Sequence, residues 1–306
     1  MKRIVSVLVV LCVAFIFAEE KADNLGNNLP LNPTRNITFT TNEGTWMSLD
    51  MSPDGKKIIF DLLGNLYTMP FRGGKASQLT SGIGYDAQPV YSPDGRMISF
   101  ISDRGGSENL WVASSDGSNP KQLSKIENGI VCSPIFSNDG NYVYVSQEES
   151  FGLVTFEIWM YHIKGGSGVQ LTKAKPKDYV AKMDQSKMRR HNALGVTLSP
   201  DEKYIYYALK YGRWEYNAKL PLWQIARRDM ETGEEDIITN AEGSGMKPKL
   251  SPDGTLLVYA TRYKTQTGLR VKNLITGSDD WLIYPVTRDD QESRSSGGLF
   301  PTYEFT

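Results

Sequence analysis

Ser52-Pro53-Asp54-Gly55 is a phrase that the chain repeats. It returns as Ser92-Pro93-Asp94-Gly95, Ser137-Asn138-Asp139-Gly140, Ser199-Pro200-Asp201-Glu202 and Ser251-Pro252-Asp253-Gly254. Intervals of 40, 45, 62 and 52 residues mark a repeated structural unit, because every copy must build the same turn in the same setting. The residues explain the turn. Proline presets φ for the first corner, aspartate bonds its own backbone, and glycine supplies φ > 0. Glu202 stands where the other copies have glycine, so the fourth turn is expected to change type or carry strain.

Working outward, each phrase is followed by β-formers: Ile58-Ile59-Phe60, Met97-Ile98-Ser99-Phe100, Tyr142-Val143-Tyr144-Val145, Tyr204-Ile205-Tyr206-Tyr207 and Leu256-Leu257-Val258-Tyr259. A second strand follows, centred on Leu66-Tyr67, Leu110-Trp111, Ile158-Trp159, Trp223-Gln224-Ile225 or Leu269-Arg270-Val271. A glycine-containing turn then leads to Gln78-Leu79-Thr80, Gln122-Leu123-Ser124, Gln170-Leu171-Thr172, Ile237-Ile238-Thr239 or Trp281-Leu282-Ile283. Pro89, Pro134 and Pro248 lie three residues before their serine, inside a short strand that enters the turn. Four short strands per unit, with no helical pattern between them, predict an antiparallel meander. Units of this length with four strands are the blades of an all-β β-propeller. About five blades are present, with a sixth cut short: Pro301-Thr302-Tyr303-Glu304-Phe305-Thr306 reads as the strand entering a sixth phrase. Ile37-Thr38-Phe39-Thr40 reads as the outer strand of a preceding blade. An open ring leaves one blade face uncovered. At about 25 cal/mol per Å², roughly 400 Å² of apolar surface costs about 10 kcal/mol, so the chain by itself is expected to aggregate or to need more polypeptide.

These residues resemble the TolB-like (WD-like) propeller repeat, whose signature is the Ser-Pro-Asp-Gly turn, the hydrophobic strand after it, and Leu-Trp or Leu-Tyr. The resemblance covers about residues 36–306. Within it, Gly44-Thr45-Trp46-Met47-Ser48-Leu49-Asp50-Met51 before the first phrase, and Phe60-Asp61-Leu62-Leu63-Gly64-Asn65-Leu66-Tyr67 after it, are similar to the N-terminal propeller of a bacterial group in which an amidohydrolase domain follows. That resemblance implies an exported metal-dependent hydrolase of amide or related bonds, with its active site in a domain absent from this chain.

Composition narrows the function classes. Of 306 residues, 40% are apolar and 23% charged, and the formal charge is -1. That balance argues against a nucleic-acid partner, which needs a basic surface. Lys2-Arg3, an apolar run from Ile4 to Phe17, and Ala18 before Glu19-Glu20 read as a secretory signal over residues 1–18, its apolar run too short to span a bilayer comfortably, with an uncleaved anchor as the alternative. Residues 19–35 read as a linker ahead of a 36–306 propeller, and the mature protein is expected in the periplasm or otherwise exported, with no transmembrane span. Cys132 is then the single remaining cysteine, so no internal disulfide can close, and its setting predicts a small buried hydrophobe.

Chemistry-bearing patterns are scarce. Amidohydrolases hold metal through a His-x-His pair with further histidines and an aspartate. This chain has only His162 and His191, which predict no metal site, no cofactor and no catalytic residue. Ser244-Gly245-Met246-Lys247 fits a Ser-x-x-Lys pattern, but without its accompanying motifs it reads as chance. Two insertions stand out. Lys173 to His191 carries seven Lys/Arg against two Asp, which suits either an acidic partner or a solvated loop. Tyr211 to Asn217 places Arg213, Trp214 and Tyr216 in an inter-strand loop, which suits either a contact site or packing over a blade edge.

The sequence therefore predicts a non-catalytic exported propeller that binds or gates. Its partner is expected to be its own missing C-terminal amidohydrolase-like domain or another envelope protein. One alternative is a free-standing TolB-like periplasmic interaction protein. Another is the propeller of a prolyl oligopeptidase-type serine hydrolase.

Overall fold

A computed structural model describes residues 35, 37–44, 47–127, 129–150, 154–172, 191–211, 222–288 and 302–305. Its strands fall into five four-stranded antiparallel sheets, each wound in chain order from the axis outward, and no helix occurs among the described residues. Blade 1 comprises β1 (Leu49–Met51), β2 (Lys57–Leu62), β3 (Asn65–Pro70) and β4 (Ser77–Gln78). Blade 2 comprises β5 (Asp86–Tyr91), β6 (Met97–Ser102), β7 (Asn109–Ser114) and β8 (Lys121–Gln122). Blade 3 comprises β9 (Val131–Phe136), β10 (Tyr142–Ser150), β11 (Val154–His162) and β12 (Val169–Gln170). Blade 4 comprises β13 (His191–Leu198), β14 (Tyr204–Tyr211), β15 (Gln224–Asp229) and β16 (Glu235–Ile237). Blade 5 comprises β17 (Met246–Leu250), β18 (Leu256–Tyr263), β19 (Gln266–Asn273) and β20 (Asp279–Arg288). The blades form a propeller ring, as the repeat predicts.

The phrase does the mechanical work expected of it. In the first copy Gly55 N–H donates to the Ser52 carbonyl at 2.8 Å, closing the turn. Ser52 Oγ donates to Asp54 Oδ1 at 2.7 Å and accepts the Lys57 N–H at 2.9 Å, which locks the turn onto the strand it launches. The same serine–aspartate bond recurs at Ser92, Ser137, Ser199 and Ser251. Accepting that hydroxyl lowers the pKa of each exposed aspartate. Glu202 keeps the turn type: its N–H bonds the Ser199 carbonyl at 2.9 Å. The departure is absorbed as a left-handed φ of 54°.

The Gln-Leu-Thr ending of the unit also has a cause. Thr80, Ser124, Thr172 and Thr239 each accept, through the side-chain oxygen, the N–H of the residue fourteen places earlier: Leu66, Leu110, Ile158 and Ile225, at 2.8–2.9 Å. The hydroxyl replaces the next ladder bond, so the outer strand stops after two or three residues and the chain turns in to the next blade. Blade 5 has Ile283 at that place, opposite Leu269, and the ladder runs on. β20 is ten residues long for this reason.

The second strand of each blade buries both faces, so period-two alternation divides it between two neighbours. Ile205, Tyr207 and Leu209 pack with blade 3, while Tyr206 and Ala208 pack with blade 5. Ile98, Val143, Ile205 and Leu257, equivalent residues on the leading faces of blades 2–5, are all 0% exposed. Their counterpart Ile58 in blade 1, which no other blade precedes among the described residues, is half-buried. At the other end of the array, Tyr303 and Phe305 pack against the core shared by blades 4 and 5. Thr302 Oγ1 donates to the Met47 carbonyl of blade 1 at 3.2 Å and accepts from Lys247 Nζ of blade 5 at 3.1 Å. The 302–305 segment thus stands at the sixth inner position, although it forms no ladder. The outer strand expected at Ile37–Thr40 is not formed. Ile37 is 68% and Phe39 61% exposed, and no sheet among the described residues pairs with them. Cys132 is buried in the core, as its context predicts. The signal and most of the linker lie outside the described residues.

Candidate functional site at the propeller axis

Counting each inner strand back from its phrase serine shows how the axis is lined. Four residues before the serine stand Ser48, Gln88, Ser133, Gly195 and Lys247; two before it stand Asp50, Val90, Ile135, Thr197 and Lys249. Thr302 and Glu304 hold the same places ahead of Thr306. All of these except Thr197 and Thr302 line one cavity of about 70 Å³, together with the residues between them. The wall on the blade 2 and 3 side is apolar, built from Pro89, Val90, Pro134 and Ile135. The opposite wall carries Asp50, Lys247, Lys249 and Glu304.

The serine-minus-four layer is made by a repeated β-bulge. Gln88, Ser133, Gly195 and Lys247 have φ between 50° and 64°, and in all four blades the inner strand slips register at this point. The bulge aims an N–H at the preceding blade: Gln88 donates to Asp61 Oδ2 at 2.7 Å, Ser133 to Gln88 Oε1 at 2.6 Å, and Gly195 to Ser146 Oγ at 2.9 Å. Asp61 also accepts the Ser48 N–H at 3.0 Å, and so joins blades 1 and 2 through both oxygens.

The charged wall is electrostatically unusual. Burial pushes the Asp50 carboxyl up to about 7 against the pull of Lys249, while its Oδ2 accepts the Tyr91 N–H at 2.7 Å. Burial raises Asp61 to about 6, in spite of its two backbone donors. Burial and the neighbouring Lys249 bring Lys247 down to about 7, although Glu304 and Asp61 act the other way. Burial also pulls at Lys249, but its ion pair with Glu304 and the nearby Asp50 outweigh it and leave its pKa raised. Burial raises the Tyr303 phenol, whose hydroxyl donates to the Lys247 carbonyl.

These shifts set a pH dependence. Asp50 and Asp61 hold protons in the folded chain at pH values where the unfolded chain has released them, so their share of stability falls as pH rises from about 4 to about 7. Lys247 has the opposite sign: the unfolded chain keeps a proton that the folded chain has lost, so its share climbs from about 7 to about 10.5. Asp50→Asn is therefore expected to be stabilising, and more so at pH 8 than at pH 5 by on the order of 1–3 kcal/mol. Urea melts at the two pH values check it, and equal effects at both would refute the burial of an ionised Asp50.

The residues singled out in the sequence have other fates. Arg213, Trp214 and Tyr216 lie outside the described residues, as does the basic insertion up to residue 190. His162 ends β11, where its ring meets Tyr142 edge-on at 4.9 Å and its Nδ1 accepts the Lys164 N–H at 3.0 Å. Among the described residues, no three His, Cys, Asp or Glu side chains are placed to share a metal ion. Asp50, Asp61, Lys249 and Glu304 were missed in the sequence, and Lys247 was set aside there as the end of a chance Ser-x-x-Lys match. Alignment on the phrase serine is the signal that would have found all but Asp61.

The repeated turn, the bulged inner strands and the ring can be set beside known proteins. Residues 29–180 match the family model described as the TolB beta propeller domain. The chain is a TolB-like β-propeller. It is 29% identical over 131 residues to the Tol-Pal system protein TolB of Helicobacter hepaticus, covering 41% of this chain and 31% of that one. An uncharacterized peptidase of Bacillus subtilis, YuxL, is 26% identical over 197 residues, which is 64% of this chain and 25% of the peptidase. The matches thus span between a quarter and a third of these curated relatives. A putative TolB structure from Agrobacterium tumefaciens superposes with a TM-score of 0.61 at 18% identity, over 80% of this chain and 83% of that one, and shares the fold. No described helix of the TolB-like propeller is long and apolar enough to cross a membrane.

Proposed function

We propose that this TolB-like propeller is an exported, non-catalytic scaffold that binds or gates beside a hydrolase domain of the amidohydrolase type. One observation carries the reading. The axis, where this chain's acids and bases converge, is a cavity of about 70 Å³, far below the ≈ 300–1,000 Å³ of ordinary substrate pockets. Its carboxylates are engaged in holding the ring: Asp61 bonds two blades, Asp50 accepts from blade 2, and Glu304 pairs with Lys249. A partner domain would supply the metal and the chemistry. The resemblance of residues 44–67 to amidohydrolase-associated propellers supports that partner, and the apolar segment before Glu19 supports export to the periplasm.

The alignment with YuxL favours a second reading, in which the partner is a serine peptidase domain. The match to TolB favours a third, an interaction protein working in the envelope without a catalytic partner. The purified chain, given zinc, manganese or cobalt, is expected to hydrolyse neither peptides nor N-acyl amino acids. Metal-dependent turnover would overturn the scaffold assignment. Coding sequence downstream of Thr306 separates the three readings: a His-x-His domain supports the first, a Gly-x-Ser-x-Gly domain the second, and a stop after one or two further blades the third.

A further inference from the structure

Among the described residues, the later blades are keyed to the blade before them by joints that blade 1 lacks. The bulge N–H groups of Gln88, Ser133 and Gly195 each donate to a side chain of the preceding blade, at 2.6–2.9 Å, whereas the equivalent N–H of Ser48 turns to Asp61 of its own blade at 3.0 Å. An ideal Cβ on Gly95, Gly140 or Gly254 would meet the proline of the preceding phrase, and Glu202 meets Asn138 instead; one on Gly55 meets nothing within 4 Å. The apolar leading face repeats the difference, with Ile58 half-buried where Ile98, Val143, Ile205 and Leu257 are 0% exposed. The 302–305 segment stands in for these joints, and its holds are unequal. On the blade 5 side Lys247 Nζ donates to Thr302 Oγ1 at 3.1 Å, the Tyr303 hydroxyl donates to the Lys247 carbonyl, Glu304 pairs with Lys249, and Tyr303 and Phe305 pack on the core shared by blades 4 and 5. On the blade 1 side stand the hydrogen bond from Thr302 Oγ1 to the Met47 carbonyl, at 3.2 Å, and the attraction of Asp50 and Asp61 for Lys249 and Lys247 across the axis. A joint with no ladder and little apolar burial opens at a fraction of the free energy of global unfolding.

We propose that the joint between the 302–305 segment and blade 1 is a seam at which the propeller ring opens while blades 2–5 stay folded. The segment stays with blade 5, where its side chains are rooted. Blade 1 swings out about its joint with blade 2, which the bond from Gln88 to Asp61 and the contact of Pro53 with the second phrase hold. Opening carries Asp50 away from Lys249 and Glu304, and so parts the charged wall of the axial cavity. The seam is independent of any partner domain, since every group in it belongs to this chain.

Hydrogen exchange of the folded chain, followed by peptide mass spectrometry, tests the seam, because β1, β9 and β17 are all inner strands that line the same cavity. In the wild-type chain the β1 amides are expected to exchange about tenfold faster than those of β9 and β17. Thr302→Val keeps the shape of the side chain but loses the hydroxyl that bonds Met47, and should speed β1 by a further factor of about five while leaving β9 and β17 within about twofold. Thr302→Ser keeps the hydroxyl and should match the wild type at all three strands. Equal exchange of the three strands in the wild-type chain would overturn the proposal, and that comparison needs no variant to fold. Unchanged β1 exchange in Thr302→Val would also overturn it, by showing that blade 1 frays without regard to the segment. A parallel rise at β9 would do the same, since the loss would then be of global stability.

Discussion

Asp61→Ala is expected to lower folding stability by about 3–5 kcal/mol, because one side chain serves two blades. Its Oδ1 accepts from Ser48 of its own blade and its Oδ2 from Gln88 of the next, at 3.0 and 2.7 Å, and the residue is only 5% exposed. Alanine would leave two buried N–H groups without acceptors, each costing about 1–3 kcal/mol. The Gln88 donor is the bulged, left-handed residue, so it cannot fall back on a ladder bond. Asp61→Asn keeps one acceptor oxygen and is expected to lose about half as much. Urea denaturation at pH 7 measures both, and a loss below about 1 kcal/mol for the alanine variant would show that the bulges do not depend on side-chain acceptors.

Asn138→Pro is expected to cost about 2–4 kcal/mol in the wild-type chain and almost nothing when combined with Glu202→Gly. Neighbouring phrases touch around the axis through a proline of one blade and the glycine of the next. An ideal Cβ on Gly95 would lie 3.5 Å from Pro53 Cδ, one on Gly140 3.7 Å from Pro93 Cδ, and one on Gly254 2.8 Å from Pro200 Cδ. Only between blades 3 and 4 are both partners changed, to Asn138 and Glu202. There the Asn138 N–H donates to Glu202 Oε1, and Asn138 Nδ2 donates to the Ser199 and Pro200 carbonyls at 3.2 and 2.9 Å. A polar contact thus replaces the packing contact. Proline at 138 would remove those donors and set its ring against the Glu202 side chain. Glycine at 202 would then accept the ring and relieve the left-handed φ of about 54°, worth roughly 1 kcal/mol. A double-mutant cycle should show coupling of about 2 kcal/mol or more. Additivity within about 0.5 kcal/mol would mean that the two departures are unrelated.

Much of this architecture is legible in the chain, and the limits have definite causes. The Ser-Pro-Asp-Gly turn, the strand that follows and the proline-containing inner strand are local: each depends on φ preferences and alternation within about ten residues. The hydroxyls of Thr80, Ser124, Thr172 and Thr239 were visible as a recurring letter, yet their purpose was not, because the N–H they accept lies fourteen residues upstream on another strand. Ile283 in that place explains a long β20 only once the rule is known. The outer strand expected at Ile37–Thr40 failed for the complementary reason. Its β-forming residues met the local requirement, but a strand also needs a partner edge, and none pairs with it among the described residues.

The sequence by itself determined the repeat, the four-stranded blade and the identity of each turn, since these are set by residues that meet within one unit. Tertiary structure alone decided the axial site. Asp50, Lys249 and Glu304 come from strands about 200 and 50 residues apart, and meet because closing blades about an axis brings equivalent positions of first and last units together. Burial there, which no local pattern encodes, is what raises the Asp50 carboxyl and lowers Lys247.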